Sequence, residues 1–174
     1  MKKLIFLYDS MMTKEVQKTL GLNIKFVSLG YIHAKMYFFN DGKRRRYFCV
    51  NGNGRCVYGL IGIIDDYEEY KNAIFSFYYS TASYINKELP SDVYIQTKVK
   101  ATPMRFNSIN ELEKCKTIKE LNPIECIAFF GNPANERVIH SIDKSKYYRR
   151  NNGIDVVSYL KLLNERNKEK EEDE

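Results

Sequence analysis

The sequence predicts an α+β domain with a small mixed or barrel-like β-sheet and few helices. Short apolar runs and alternating apolar and polar residues, both typical of strands, recur along most of the chain. Only a few segments place apolar residues at helical spacing. The 174 residues include 14 Tyr and 10 Phe, and aromatic side chains favour strands.

The predicted elements of the first half are a strand at 4–8, a helix at 13–21, strand-like segments at 25–29 and 32–39, a turn at 40–42, a strand at 46–50 and a turn at 51–54. The first strand is an apolar run that stops at a Tyr-Asp-Ser sequence. The helix is expected to end at Gly21, because glycine commonly terminates helices. The segment 32–39 alternates apolar and other residues, as half-buried strands do.

The predicted elements of the second half are a strand at 56–64, a helix at 67–84, a strand at 93–102, a polar helix-compatible segment at 107–121, a strand at 124–130, a basic irregular segment at 134–150 and a helix at 154–164. Gly59 and Gly62 within a strand indicate close backbone approach or a bulge. Asp65-Asp66 is expected to cap the helix that follows. Residues 1–164 are predicted to form one domain, and the charged segment 165–174 a disordered tail.

No apolar run approaches the roughly 20 residues of a membrane-spanning helix, so we expect no membrane association and a cytoplasmic location. The four cysteines (Cys49, Cys56, Cys115 and Cys126) have no C-x-x-C spacing, and the two histidines lie far apart in sequence. The pattern therefore predicts free thiols and no metal site.

The net charge of +6 is concentrated in two clusters, residues 43–46 and 144–150. The candidate anion-binding residues are Arg44, Arg45, Arg46, Arg149 and Arg150. Both clusters lie beside Tyr and Phe, a combination that suits a phosphate backbone and stacked bases. A solvated basic turn is the plainer interpretation, so nucleic-acid binding is the less favoured of the partner hypotheses.

Several short motifs follow one another in a characteristic order: Tyr8-Asp9-Ser10-Met11 after the first strand, Gly30-Tyr31, Val57-Tyr58-Gly59-Leu60-Ile61, the strand 93–99, the strand 125–129, and finally Tyr147-Tyr148, Asn152-Gly153-Ile154 and Tyr159-Leu160. In this order they resemble the γ-glutamylcyclotransferase-like (AIG2-like) superfamily. The resemblance implies that family's fold over residues 4–164. It also implies a substrate loop whose backbone amides hold a γ-glutamyl group, formed here by Tyr8, Asp9, Ser10 and Met11.

The chain departs from the family pattern at the loop glycine, which is replaced by Asp9, and at the general acid/base of the family's Leu-Asp-x-x-Glu motif. Two alignments of that motif are open. Spacing favours residues 74–79, which places Tyr78 at or near the glutamate position, and a phenol of pKa near ~10 is a poor proton acceptor at neutral pH. The other alignment uses residues 64–68 and makes Glu68 the catalytic residue, although this motif begins only five residues after Gly59.

Three functions are consistent with these patterns. The favoured one is a divergent, catalytically altered or inactive member that binds a small anionic or γ-glutamyl-type ligand at the Tyr8–Met11 loop. A nucleotide or an acidic protein would also suit the basic charge. The second is an active γ-glutamyl(amine) cyclotransferase that releases 5-oxoproline without a cofactor, because the substrate supplies its own nucleophile and Glu68 would carry the proton. The third is a nucleic-acid-binding protein. Whether Glu88 or Glu125 takes the place of the catalytic glutamate of the family motif is open.

Overall fold

The computed structural model describes residues 2–8, 12, 14–41, 44–52, 56–80, 93–105 and 119–144. Its helices are α1 (Lys14–Thr19), α2 (Tyr67–Ser80) and α3 (Glu136–Lys144). Its strands are β1 (Lys3–Leu7), β2 (Lys25–His33), β3 (Lys35–Asp41), β4 (Arg44–Val50), β5 (Cys56–Ile64), β6 (Tyr94–Arg105), β7 (Lys119–Glu120) and β8 (Ile124–Gly131).

Five of these strands close into a barrel in the order β2-β5-β1-β8-β6, because β6 also pairs with β2. The closing contact joins residues 29–31 of β2 to residues 102–104 of β6. The pairing of β1 with β8 is parallel, whereas the other barrel pairings are antiparallel. The short β7 continues the sheet beside β6, and β3 and β4 form a separate two-stranded sheet. The predicted mixed, barrel-like sheet is thereby confirmed.

Side chains alternate between the two surfaces of the barrel strands, and each surface buries its own apolar cluster. The inner cluster contains Phe6, Tyr8, Ile32, Val57, Ile61, Val99, Ala101, Cys126, Ala128 and Phe130. The outer cluster includes strand residues Ile5, Leu7, Leu60, Ile64, Ile127 and Phe129 together with Met12, Tyr70 and Val138. Because the helical residues join only the outer cluster, the helices cover the outside of the barrel, and apolar side chains pack its interior.

The caps of the first two helices follow from the sequence. Gly21 has a φ of 68° and ends α1, with the Gly21 N–H donating to the Lys18 carbonyl (3.0 Å) and the Leu22 N–H to that of Gln17 (2.8 Å). This pair of bonds is a Schellman motif, which uses glycine because a left-handed φ strains other residues. At α2 the Asp66 carboxylate accepts the Glu69 N–H at 3.1 Å. Both predicted helix boundaries are confirmed.

Four sequence predictions of local structure are wrong in detail. The segment 134–150 was expected to be irregular, but residues 136–144 form α3. Its cap is the buried Asn135, whose Oδ1 accepts the N–H groups of Arg137 (2.9 Å) and Val138 (3.4 Å). The predicted break at 30–31 falls instead at Ala34, because β2 runs on to pair with both β5 and β6.

The other two corrections concern the ends of strands. The predicted turn at 40–42 is shorter, since β3 continues to Asp41 and β4 begins at Arg44. Residues 119–120, at the end of the predicted helix-compatible segment, form β7 because they pair with β6. The predicted elements at 81–84, 107–118 and 154–164, and the tail at 165–174, lie outside the described residues, so the proposed domain limits stay a prediction.

Among the residues that the structure describes, no helix is long and apolar enough to cross a membrane. The cytoplasmic location stays a prediction.

Gly59 lets β1 and β5 approach closely, as its position inside a strand predicts. A Cβ built on Gly59 would run into the Leu7 carbonyl oxygen and lie 2.7 Å from Cζ of Phe6. Gly59→Ala should therefore lower the free energy of unfolding by about 3 kcal/mol, since the obstructing atom belongs to the backbone of a paired strand. Chemical denaturation measures the loss. The control is Gln96→Ala on the exposed surface of β6, expected to change stability by less than about 0.5 kcal/mol. Equal stability of the two variants would contradict the close approach.

Candidate functional site

The centre of the candidate site is Tyr8, the residue that follows β1. Its side chain is 2% exposed. The phenol donates a hydrogen bond to the Phe129 carbonyl oxygen of β8 (2.6 Å) and accepts one from the Cys49 N–H of β4 (3.1 Å). The ring also packs edge-on against Phe130, with centroids 6.3 Å apart. One side chain thus joins the first barrel strand to a second barrel strand and to the β3–β4 hairpin.

The base of this hairpin covers the same end of the barrel. Phe48 is fully buried, and its ring lies over Gly131 at the end of β8, where a side chain would collide with it. Nearby, the Tyr94 hydroxyl at the start of β6 is 3.4 Å from the Tyr47 carbonyl oxygen. The end of the barrel next to Tyr8 is therefore closed by packed aromatic rings and backbone hydrogen bonds.

The two hydrogen bonds of the Tyr8 phenol, to Phe129 and Cys49, give this side chain a structural role. A ligand held at this end would be held by the chain that follows β1, as the resemblance implies for the loop's backbone amides. Asp9, Ser10 and Met11, which complete the predicted substrate loop, lie outside the described residues. Ligand binding by these residues stays a prediction.

Glu68, the candidate catalytic residue, lies in the first turn of α2 and is exposed, as is Glu69. The helix begins three residues after Ile64, which pairs with Lys3 at the start of β1, whereas Tyr8 follows the other end of that strand. Tyr70, two residues after Glu68, nevertheless packs against Phe129, whose carbonyl oxygen accepts the Tyr8 hydroxyl. The role of Glu68 as the catalytic residue stays a prediction.

The buried face of α2 accounts for this orientation. Tyr70 is fully buried, and its ring lies against that of Phe129 with centroids 6.0 Å apart. Residues two positions apart on a helix differ by about 200° around its axis, so Glu68 points away from the barrel when Tyr70 points towards it. Its carboxylate also stands at the helix N-terminus, where negative charge is stabilised by the helix dipole. Glu68 and Glu69 thus form an acidic first turn of the kind common in helices.

No other described carboxylate takes the place of Glu68. All of the Asp and Glu side chains whose exposure the structure describes are exposed: Glu15, Asp65, Asp66, Glu68, Glu69, Glu125, Glu136 and Asp143. Glu125, one of the two suggested replacements, stands near the start of β8 and forms an ion pair with Lys98 (3.7 Å) in which both side chains are mostly exposed. Such a pair contributes little to stability. The other suggested replacement, Glu88, lies outside the described residues.

The remaining predicted site residues are only partly described. Tyr78 lies in the second half of α2, and Arg44, Arg45 and Arg46 lie at the start of β4; only their backbone positions are described. Arg149 and Arg150 lie outside the described residues. Within the described part of the chain, no group of three or more His, Cys, Asp or Glu side chains could hold a metal ion.

Two of the described cysteines, Cys49 and Cys126, are buried, and Cys56 is half-buried. Burial, and secondarily the neighbouring Glu125 carboxylate, raises the pKa of the Cys126 thiol to about 12. A protonated thiol is a poor nucleophile. Cys126 therefore belongs to the barrel core, as its position in an apolar strand predicts. The structural role of Cys49 is not predictable from the sequence, since its backbone N–H carries no sequence signal.

No protein-family model matches the sequence, and no curated protein matches it significantly. Solved structures do resemble it. A γ-glutamyl cyclotransferase superimposes with a TM-score of 0.50 over 75% of this chain and 67% of that chain, at 13% identity. An AIG2-like protein from Mus musculus gives a TM-score of 0.49 over 79% of this chain and 82% of that chain, at 16% identity. An uncharacterized protein from Homo sapiens gives 0.47 over 75% and 66%, at 17% identity.

The match to the γ-glutamyl cyclotransferase shows a shared fold. The chain has the γ-glutamylcyclotransferase-like α+β fold, in a divergent form, and the resemblance indicated by the order of the motifs is confirmed at that level. Each of the five barrel strands carries or adjoins one of those motifs: Tyr8, Gly30-Tyr31, the segment 57–61, the segment 93–99 and the segment 125–129.

The two hydrogen bonds of Tyr8 can be tested by Tyr8→Phe. This change leaves a buried carbonyl and a buried N–H without the phenol, so the free energy of unfolding should fall by about 2–4 kcal/mol. Denaturant unfolding gives the value. Tyr31→Phe, at a half-buried tyrosine on the outer surface of β2, is the control and should change stability by less than about 0.5 kcal/mol. Tyr8→Phe with the stability of the parent protein would show that the bonds do not anchor the hairpin.

Thiol labelling tests the cysteine environments. In a Cys115→Ser background at pH 9, where an ordinary thiol with a pKa of 9.0 is half ionised, the half-buried Cys56 should react first. Cys126 should stay unreacted in the folded protein, because a pKa of about 12 leaves about a thousandth of it ionised. Mass spectrometry identifies the labelled residue, and labelling in denaturant controls for reagent access. Equal rates for Cys56 and Cys126 would be inconsistent with the buried position of Cys126.

Proposed function

We propose that the protein binds a small anionic or γ-glutamyl-type ligand at the Tyr8–Met11 loop and does not catalyse cyclotransfer. The observation that carries this proposal is the exposure of all the carboxylates whose side chains are described, Glu68 among them. Cyclotransfer needs a proton carrier within hydrogen-bond reach of the reacting atoms, either directly or through one water. In this proposal the exposed Glu68 does not supply that proton carrier.

The anchoring of Tyr8 supports ligand binding at the same place. Its two hydrogen bonds hold the end of β1, and therefore the start of the loop, in one position before any ligand arrives. A loop whose point of attachment is fixed loses less conformational entropy when a ligand binds. The fold thus supports recognition at this loop even where the proton carrier of the family is replaced.

Charge supports an anionic ligand. The net charge is +6, and Arg44, Arg45 and Arg46 lie on the strand whose Cys49 bonds to Tyr8. A surplus of positive charge raises the local concentration of anions and speeds their association. Asp9 opposes this attraction, because its carboxylate belongs to the loop itself. Ligand binding by the arginines, including Arg149 and Arg150, forms part of this proposal.

The proposal is tested by incubating the protein with a γ-glutamyl dipeptide and, separately, with a nucleoside diphosphate. Calorimetry should detect binding of at least one of them, and chromatography should detect no 5-oxoproline. Asp9→Gly should strengthen binding about tenfold, because one like charge near the ligand costs about 1.4 kcal/mol at an intermediate dielectric constant. Glu68→Gln is the matched control, since it removes one negative charge at an exposed position outside the loop, and it should leave the affinity unchanged.

Two results would overturn this proposal. Release of 5-oxoproline by the parent protein, lost in Glu68→Gln, would establish the active cyclotransferase instead. Absence of binding by both the parent protein and Asp9→Gly would exclude a ligand site of this chemistry at the loop.

A further inference from the structure

We propose that the β3–β4 hairpin is a binding surface for single-stranded nucleic acid. In this proposal Arg44, Arg45 and Arg46 neutralise phosphates, and the aromatic residues beside them on the hairpin stack against bases. The partner differs from the small ligand proposed for the loop, although both proposals use Arg44, Arg45 and Arg46. Binding of single strands by the hairpin does not require that the loop binds a small ligand.

The hairpin is a distinct structural unit. Within the described part of the chain, β3 and β4 pair only with each other, and their seven residue pairs run from Lys35–Val50 to Asp41–Arg44. A ribbon of this length spans about 20 Å.

One end of the ribbon is held firmly. Phe48 and Cys49 are fully buried, and the Cys49 N–H bonds to the Tyr8 phenol inside the protein. The three arginines occupy the other half of β4, opposite Phe39, Asn40 and Asp41. A binding surface built on an anchored ribbon is held in place before its partner arrives, which lowers the entropic cost of association.

The strand register interleaves aromatic and basic residues on both faces. Direct partners in an antiparallel pair share a face, and successive residues alternate between faces. On one face, Arg45 and Asn40 therefore lie next to the pair Tyr47–Phe38. On the opposite face, Arg44 and Arg46 lie next to Tyr37 and Phe48.

Three aromatic residues of the ribbon, Tyr37, Phe38 and Tyr47, are half-buried. Phe38 and Tyr47 lie with ring centroids 6.0 Å apart and tilted by 59°, and both are half-buried. Tyr37 is likewise half-buried and lies 5.8 Å from the buried Phe48 ring. Partly exposed rings beside arginines are the combination that single-stranded nucleic acids require, because each base offers a flat surface for stacking and each phosphate accepts bidentate bonds from a guanidinium.

Two alternative roles for the three arginines lead to different expectations. Charged residues on edge strands discourage sheet-to-sheet aggregation. An acidic protein would satisfy the positive charge equally well. Neither use calls for flat aromatic surfaces alternating with the arginines, and neither predicts a preference for unpaired bases.

The test is fluorescence anisotropy with the full-length protein and labelled oligonucleotides of about 16 nucleotides. The probes are a single-stranded RNA, a single-stranded DNA of the same sequence and the corresponding DNA duplex; heparin and polyglutamate serve as competitors without bases. We expect both single strands to bind more tightly than the duplex and the competitors. The ratio of the RNA and DNA affinities then shows which of the two nucleic acids the protein prefers.

The substitutions compare two variants that each lose three positive charges. Arg44→Gln/Arg45→Gln/Arg46→Gln should weaken single-strand binding by more than about tenfold and reduce the slope of log affinity against log salt by about 2. The control replaces three exposed lysines by glutamine, Lys18, Lys98 and Lys100, and should retain most of the affinity. Thermal unfolding checks that both variants fold.

The aromatic contribution has its own variant. Phe38→Leu keeps an apolar side chain and removes an aromatic ring on which a base can stack. The affinity for single strands should therefore fall about tenfold, while the affinity for heparin should not change. Equal loss of binding in the arginine and lysine variants would overturn the proposal, as would parent-protein binding to heparin or polyglutamate as tight as to single strands. Absence of any single-strand binding at low salt would also overturn it, and this measurement needs no substitution.

Discussion

The hydroxyl of Tyr8 joins parts of the chain that are distant in sequence. It donates to the carbonyl of Phe129, 121 residues away, and accepts the backbone N–H of Cys49, 41 residues away. Two strands of the barrel and the hairpin therefore meet at one buried phenol. Since buried backbone groups are costly to leave unpaired, this arrangement holds the closed end of the barrel and the base of the hairpin together. Both proposed binding surfaces adjoin it.

The hydrogen bonds of Tyr8 stabilise the fold without involving a catalytic residue. The strand that leads into the candidate loop is held by side chains of the core, so its geometry does not depend on a catalytic residue. Glu68 is exposed on α2, whereas the residue that begins the loop is held by the core. Retention of the γ-glutamylcyclotransferase-like fold is thus compatible with a protein that recognises a ligand and leaves it unchanged.

Much of the barrel was predictable, because apolar runs and glycines mark buried strands directly. The strand 56–64 has the predicted limits, and Asp66 and Gly21 cap their helices as expected. Helix α3 was missed, although Asn135 as cap and the spacing of Val138 and Ile142 are signals for it. The surrounding basic residues obscured a short pattern whose stability depends on burying Val138 against the barrel.

For the candidate site, the sequence by itself determined the basic cluster at residues 44–46 and the order of motifs that indicates the fold. It also predicted the substrate loop, with Asp9 in place of the family's glycine. Those features reside in neighbouring residues, whose chemistry can be inferred locally. Only the tertiary structure decided that the Tyr8 phenol is committed to two backbone partners and that Glu68 faces solvent. It also decided that β3 and β4, within the described part of the chain, pair with each other and with no barrel strand. These outcomes depend on strand pairing and on which face of a helix is buried, and such long-range contacts leave no signal in local sequence.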